Sequence, residues 1–202
     1  MQGIIGCDVT VASMWSEMDS SNPRKVTTQM VRGEPFTILK EHGVWLHGEA
    51  AHYPGKPGFV LRDHIGRIPT GEWITGSNID PADWALDLLD TPYKWGGMTE
   101  EGIDCSGLVH RAYRQRGVLI PRDATDIEAY GTPIRWEELD YGDLITYGSV
   151  DKPLEGPATH IGFYMPDGGL FHAEGRRQKM VLLEDEPDEL KARRRKAIRI
   201  PF

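Results

Sequence analysis

The chain of 202 residues is short of several features that would narrow its chemistry at once. It has two cysteines, Cys7 and Cys105, too few for a disulfide framework. One bridge between them is the most they could form, and a reduced compartment is the simpler reading. The seven histidines are scattered without an H-E-x-x-H, and neither cysteine has a partner at zinc-site spacing. No metal and no cofactor are therefore expected. No apolar run approaches the roughly 18 residues of a membrane span. Basic charge is also scarce: 23 Lys and Arg against 31 Asp and Glu leave a formal charge of −8, which argues against a dedicated nucleic-acid binder. The first residues, MQGIIGCDVTVAS, carry no basic n-region and no long apolar h-region. A cytoplasmic location is thus expected, and a leader already removed would instead fit a secreted or wall-associated protein.

What is present divides in two. At 39% hydrophobic and 27% charged residues the composition is that of a soluble globular protein, long enough for one large domain or two small ones. Residues 1–67 contain the strand-like runs DVTVAS, PFTILKE, GVWLHGEA and GFVLRDHI, punctuated by MDSSNPRK, VRGEP, KEHG and HYPGKPG. Short strands with Gly and Pro between them predict a small β-barrel. Residues 68–79 lack periodicity and are expected to link it to a second domain over 80–202. There, Asp80 and Pro81 suit the N-cap and first position of a helix, with Trp84, Ala85, Leu88 and Leu89 on one face. A second helix carries Leu108, Val109, Ala112 and Tyr113 at the same spacing and stops at Gly117. The runs GDLITYG, HIGFYM, GLFHAEG, KMVLLE and AIRIPF follow as strands. Helices first and strands after predict an α+β domain on an antiparallel sheet. Near the C-terminus five acids precede six bases in EDEPDELKARRRKAIRI, the pattern of a solvated helix or turn with local ion pairs.

Cys105 lies in GIDCSGLVHRAY at the expected start of the second helix. Unpaired N–H groups and the macrodipole of a helix N-terminus stabilise a thiolate, and such sites lower a thiol pKa from about 8.5 to roughly 3.5–7.5. His160 opens HIGFYM and His172 follows in FHAEG; a turn at PDGG, 166–169, would put them on adjacent strands. Nucleophile, base and orienter have this general form. Taken singly, a cysteine at a helix start or a histidine at a strand end is more often structural. Cys7 and the other histidines have no such pattern and are read as packing residues.

The stretches TPYKWGGMTEEGIDCSGLVHRAYRQRG, YGDLITYG, THIGFYM and LFHAEG together resemble an NlpC/P60 cysteine peptidase, with a papain-like catalytic fold, over about residues 80–200. Residues 11–50 resemble, more loosely, the bacterial SH3 domain of γ-D-glutamyl-L-diamino acid endopeptidases of the YkfC-like group. Phe59 stands where that barrel usually has Trp.

The resemblance implies Cys105 as nucleophile, forming a thioester, His160 as base and then acid, and His172 as orienter. It implies Tyr93 beside the nucleophile, helping the oxyanion hole. Asp104 and Ser106 would hold the free α-amino group of an N-terminal L-Ala, a charge-assisted contact; Asp104 also suits a helix cap. Glu17 and Tyr53 would complete the amine pocket from the barrel. The implied substrate is a murein-derived peptide, L-Ala-γ-D-Glu-diamino acid, and the enzyme is expected to act as a monomer without membrane or nucleic-acid partners. A secreted wall hydrolase with a wall-binding barrel, an inert binding module, and an amidase or acyltransferase on other substrates remain alternatives at this point.

Overall fold

Alternating small and apolar residues build the N-terminal strands of the computed structural model, which describes residues 4–69 and 73–202. Seven strands form in order: β1 (Ile4–Cys7), β2 (Val11–Trp15), β3 (Val26–Val31), β4 (Phe36–His42), β5 (Trp45–Ala50), β6 (Gly58–Leu61) and β7 (Ile65–Ile68). Five of them make an antiparallel sheet in the order β3-β2-β6-β5-β4, and β1 pairs with β7. Cys7, Ala12, Met14, Met30, Phe36, Leu46, Ala50 and Val60 fill their common core. The two edges differ. The β4 edge faces water with a register shift between Ile38 and Lys40, a device that blunts an open edge. Along the β3 edge Thr28 and Gln29 are buried, because the C-terminal half packs there through Arg122 and Met98.

That half begins with α1 (Pro81–Leu86), β8 (Met98–Thr99), β9 (Gly102–Ile103), α2 (Cys105–Gln115), α3 (Ala124–Tyr130) and β10 (Thr132–Ile134). It continues with β11 (Leu144–Tyr147), β12 (His160–Met165), β13 (Gly169–Glu174), β14 (Met180–Asp185), α4 (Asp188–Lys191) and β15 (Arg194–Arg199). The six-stranded sheet runs β10-β15-β11-β12-β13-β14, every pair antiparallel. Leu108, Val109, Ala112 and Tyr113 of α2 share one core with Ile161 and Phe163 of β12 and Phe171 and Ala173 of β13. Full burial of each large apolar side chain contributes about 1.5–3 kcal/mol, which pins α2 across those two strands. Gly117 ends the helix at φ 92°. Its N–H meets the Arg114 carbonyl while the Val118 N–H meets that of Tyr113, a paired closure that a side chain in this conformation would strain.

Several expectations change. Asp80 does cap α1 through the Ala82 N–H at 2.8 Å, but the helix stops at Leu86. The chain then turns through Asp90 at φ 64°, so Leu88 is 3% exposed whereas Leu89 is 49% exposed. Strand β7 extends to Ile68, whose side chain is buried, one residue into the expected linker. Residues 70–72 of that linker lie outside the described residues, and Thr75 and Ser77 hydrogen-bond to the Gln115 carbonyl at the end of α2. The acid-to-base stretch is a solvated helix with a local Lys191–Asp188 ion pair only over α4; the bases after it enter the sheet as β15. Arg195 binds Glu128, Arg194 binds Glu186 and Arg199 binds Asp143, three buried carboxylates that make a strand of this charge tenable. Strands β1 and β3, helix α3 and strand β10 were not anticipated from local pattern.

Candidate active site

Asp104 starts α2. Its Oδ1 accepts the Gly107 N–H at 2.7 Å, and its Oδ2 accepts the Gly96 N–H at 2.8 Å. Cys105 is therefore the first residue of the helix. The nearby backbone N–H groups of Ile161, at the beginning of β12, and of Ser106, in the first turn, favour its thiolate. The expected lowering of the thiol pKa is reversed: burial foremost, then the Asp104 carboxylate, push it up to about 12. The helix end does not outweigh that desolvation.

The turn at 166–169 joins β12 to β13 and pairs Phe163 with Phe171, which brings His160 Nε2 to 2.7 Å from His172 Nδ1. His172 Nε2 lies 3.1 Å from Glu184 Oε1 on β14. Glu184 stands two residues from Leu182, the register partner of His172, so it is a diagonal neighbour on the same face. Proton order follows from this geometry. The carboxylate takes the His172 Nε2–H, His172 Nδ1 then accepts the His160 Nε2–H, and the lone pair of His160 is left on Nδ1. Burial keeps both imidazoles below their usual pKa, His160 further lowered by His172, Arg193 and Arg176. The site at rest thus pairs a neutral thiol with a neutral base.

These groups line a cavity of about 830 Å³. One wall comes from the C-terminal half: Tyr93, Asp104, Cys105, Ser106, His160 and His172. Another comes from the N-terminal strands and their turns through Ser16, Lys25, Tyr53 and Lys56. Tyr93 is half-buried and packs its ring against Gly175, where an added Cβ would meet Cζ at 2.7 Å. Burial, with the nearby Cys105 and Asp104, raises its phenol pKa, so it stands as an O–H donor. Tyr53 donates to Asp123 at 2.9 Å, and the Lys56 ammonium rests on Asp123 and Asp126. Glu17 is not brought to the cavity: it makes an exposed 2.6 Å ion pair with Lys25.

Two functional neighbours escaped the sequence reading, Glu184 and Arg122. Arg122 is buried; its Nη2 donates to Asp104 at 2.8 Å and its Nη1 to Ser106 Oγ at 2.8 Å. Asp104 thus acts as helix cap and as the partner of a guanidinium. Nothing local marks an Arg in PRDAT for this role; the contact spans 18 residues. Cys7 is a buried thiol bonded to the Val9 carbonyl, its pKa pushed up to about 11 by burial. Among the described residues no three His, Cys, Asp or Glu side chains gather as a metal set, and no helix is long and apolar enough to cross a membrane.

Comparison with known proteins places this geometry. The NlpC/P60 family model matches residues 90–193. The bifunctional muramidase/DL-endopeptidase CwlT of Bacillus subtilis is 33% identical over 132 residues, 59% of this chain and 38% of that protein. The γ-D-glutamyl-L-lysine dipeptidyl-peptidase of Bacillus cereus is 33% identical over 110 residues, 51% of this chain and 32% of that protein. The chain therefore spans well under half the length of these relatives. The crystal structure of an NlpC/P60 family protein from Bacillus cereus superposes with a TM-score of 0.83 over 96% of this chain and 98% of that one, at 18% identity, a likeness of fold alone. A family match over half the chain, centred on the helix and hairpin that build the cavity, leaves one assignment: the protein belongs to the NlpC/P60 family of peptidases.

Proposed function

We propose that the protein is a cysteine peptidase that cuts the γ-D-Glu–diamino acid bond of murein-derived peptides bearing a free N-terminal L-Ala. The observation that carries this reading is the walled cavity: the N-terminal strands, read as an SH3-like barrel domain, close one end of the cleft that holds Cys105. A peptide end fits against such a wall, whereas an L-Ala whose nitrogen still bears glycan does not. The substrate then arises only after an amidase has released it, and we place the reaction in the cytoplasm.

His160 Nδ1 takes the thiol proton as Cys105 attacks the scissile carbonyl, so that charge develops in the transition state rather than at rest. The Tyr93 hydroxyl and the N–H groups at the head of α2 face the developing oxyanion. His160 then protonates the leaving amine, and water resolves the thioester. Glu184 and His172 fix the tautomer that allows this.

Ser106, Asp104, Asp123 and Tyr53 receive the L-Ala ammonium. Asp104 is paired with Arg122, while Asp123 and Asp126 share the single Lys56 ammonium, and those two carboxylates against one cation favour a substrate ammonium at the Tyr53 end. The Lys56 ammonium lying on Asp123 and Asp126 supports that end as a place for an alkylammonium.

Mass spectrometry of the purified protein with L-Ala-γ-D-Glu-L-Lys and its N-acetylated twin tests the reading, with Cys105→Ala as control. Release of L-Ala-D-Glu from the free peptide alone is expected. Equal cleavage of both would point instead to an endopeptidase that does not read the free amine; DL-endopeptidase is the word in the name of the Bacillus subtilis relative. Undiminished cleavage by Cys105→Ala would remove the thiol mechanism.

A further inference from the structure

A second chain of buried polar groups reaches the head of α2, and it begins in the N-terminal strands. Glu34 and His52, both fully enclosed, are in contact through the ring Nδ1 of His52. The same carboxylate accepts the His52 backbone N–H at 3.1 Å. His52 Nε2 lies 2.8 Å from Thr28 Oγ1. The Thr28 oxygen accepts Arg122 Nε–H at 3.2 Å. Arg122 then donates to Ser106 Oγ, to Asp104 and to the Gly97 carbonyl.

Only one arrangement of protons satisfies every link. Glu34 is acceptor-only, so His52 carries its proton on Nδ1 and presents a lone pair on Nε2. Thr28 must donate its hydroxyl proton to that lone pair, which leaves its oxygen free for the guanidinium. Were His52 doubly protonated, its Nε2–H and the Arg122 Nε–H would both point at the Thr28 oxygen, and the hydroxyl proton would be buried without an acceptor. From Arg122 the donors run one way through Thr28 and His52 to Glu34, while its Nη groups donate the other way, to Ser106 and Asp104. This arrangement holds a 1%-exposed guanidinium side chain in a fixed plane, and through it the two residues that bracket Cys105.

We propose that Thr28 and His52 are positioning residues of the peptidase: the N-terminal strands set the Ser106 hydroxyl and the Asp104 carboxylate through Arg122, so the barrel shapes the ammonium subsite from beneath as well as walling the cleft. This rests on the free-ammonium reading above. It assigns a task to β3, whose polar residues pack against the peptidase rather than into their own core.

The test compares Thr28→Val, which keeps the shape and removes the hydroxyl, with Thr28→Ser, which restores it. KM for the free peptide is expected to rise about tenfold in the valine variant, with kcat within about twofold, and the preference over the N-acetylated twin to fall by the same factor, since one charged hydrogen-bonding group loses its geometry. Serine should return both toward wild type. In parallel, ¹⁵N-resolved NMR follows the Arg122 Nε–H, expected to be slowly exchanging in the wild type and the serine variant and lost in the valine variant. The imidazole nitrogens of His52 should report the Nδ1–H tautomer. An Arg122 signal indifferent to valine, a His52 Nε2–H tautomer, or a KM unmoved by valine would overturn the relay; so would a fall in kcat that tracks Tm and is not rescued by serine. His52→Leu removes the next link and takes the place of valine should that variant not fold. Cleavage of neither peptide by the wild type would defeat the proposed function, and the NMR arm would then decide this inference by itself.

Discussion

Two glutamate–histidine pairs converge on the first turn of α2 from opposite sides. Glu184 and His172 belong to β14 and β13 and end, through His160, in the cavity that Cys105 also lines. Glu34 and His52 belong to the N-terminal strands and end, through Thr28 and Arg122, on the neighbours of Cys105. Glu184 is 22% exposed and shared with Arg177, whereas Glu34 is 0% exposed and sits 3.7 Å from the buried Arg114. The same pair of residue types therefore has different work. At the cavity it leaves His160 a lone pair on Nδ1; where the two halves of the chain meet it anchors charges that water cannot reach.

That contrast predicts different failures. Glu34→Gln leaves Arg114 buried without its carboxylate, and loss of one member of a buried pair costs about 3–5 kcal/mol. For a chain of this size the Tm should fall by about 6–20 °C, measured by calorimetry. A shift under about 2 °C would show that the junction does not depend on this charge. Glu184→Gln should barely move Tm, because the carboxylate is partly solvated, but kcat should drop about 10- to 100-fold with KM little changed, since the amide no longer fixes the His172 tautomer. Equal damage to KM would erase the distinction between the two pairs.

The resting protonation of the site gives a third contrast. With the thiol raised to about 12 by burial and His160 held neutral, alkylation of Cys105 by iodoacetamide at pH 7 should run at least about tenfold slower than that of free cysteine. The thiolate fraction grows as pH climbs toward a raised pKa, so the rate should keep rising through pH 9. A plateau between pH 6 and 7 would show a preformed thiolate–imidazolium pair instead. The smallest effect is expected at Gly175, where alanine would press its Cβ into the Tyr93 ring. A loss of about 1 kcal/mol, visible as a few degrees of Tm and a few-fold lower kcat, would place Tyr93 against the chemistry without making the glycine essential.

Much of the catalytic side was legible because its signals are local. The N-cap Asp104, the apolar stripe Leu108, Val109, Ala112 and Tyr113, and the stop at Gly117 are written within one helix. The turn at 166–169 fixes a hairpin register, and that register alone brings His160 to His172. Strand β3 was missed because VTTQMV does not alternate: Thr28 and Gln29 are polar yet buried, one bonded to His52 and Arg122, the other to the Met98 N–H at 3.1 Å. Strand β15 was expected only from Ala197 onward, since the partners that make its arginines acceptable lie 8 to 67 residues away.

Sequence by itself determined helix α2 with Cys105 at its head and the hairpin that carries His160 and His172, because hydrophobic period, capping and turn chemistry act over a few residues. Tertiary structure decided everything that depends on burial and distant charge. It turned the thiol pKa upward where a helix end suggested downward, and it gave Asp104 to Arg122 as well as to the helix. It sent Glu17 out to Lys25 and brought Tyr53 to the cavity. Desolvation and ion pairing are sums over the whole surroundings of a group, and those surroundings exist only once the two halves of the chain are packed together.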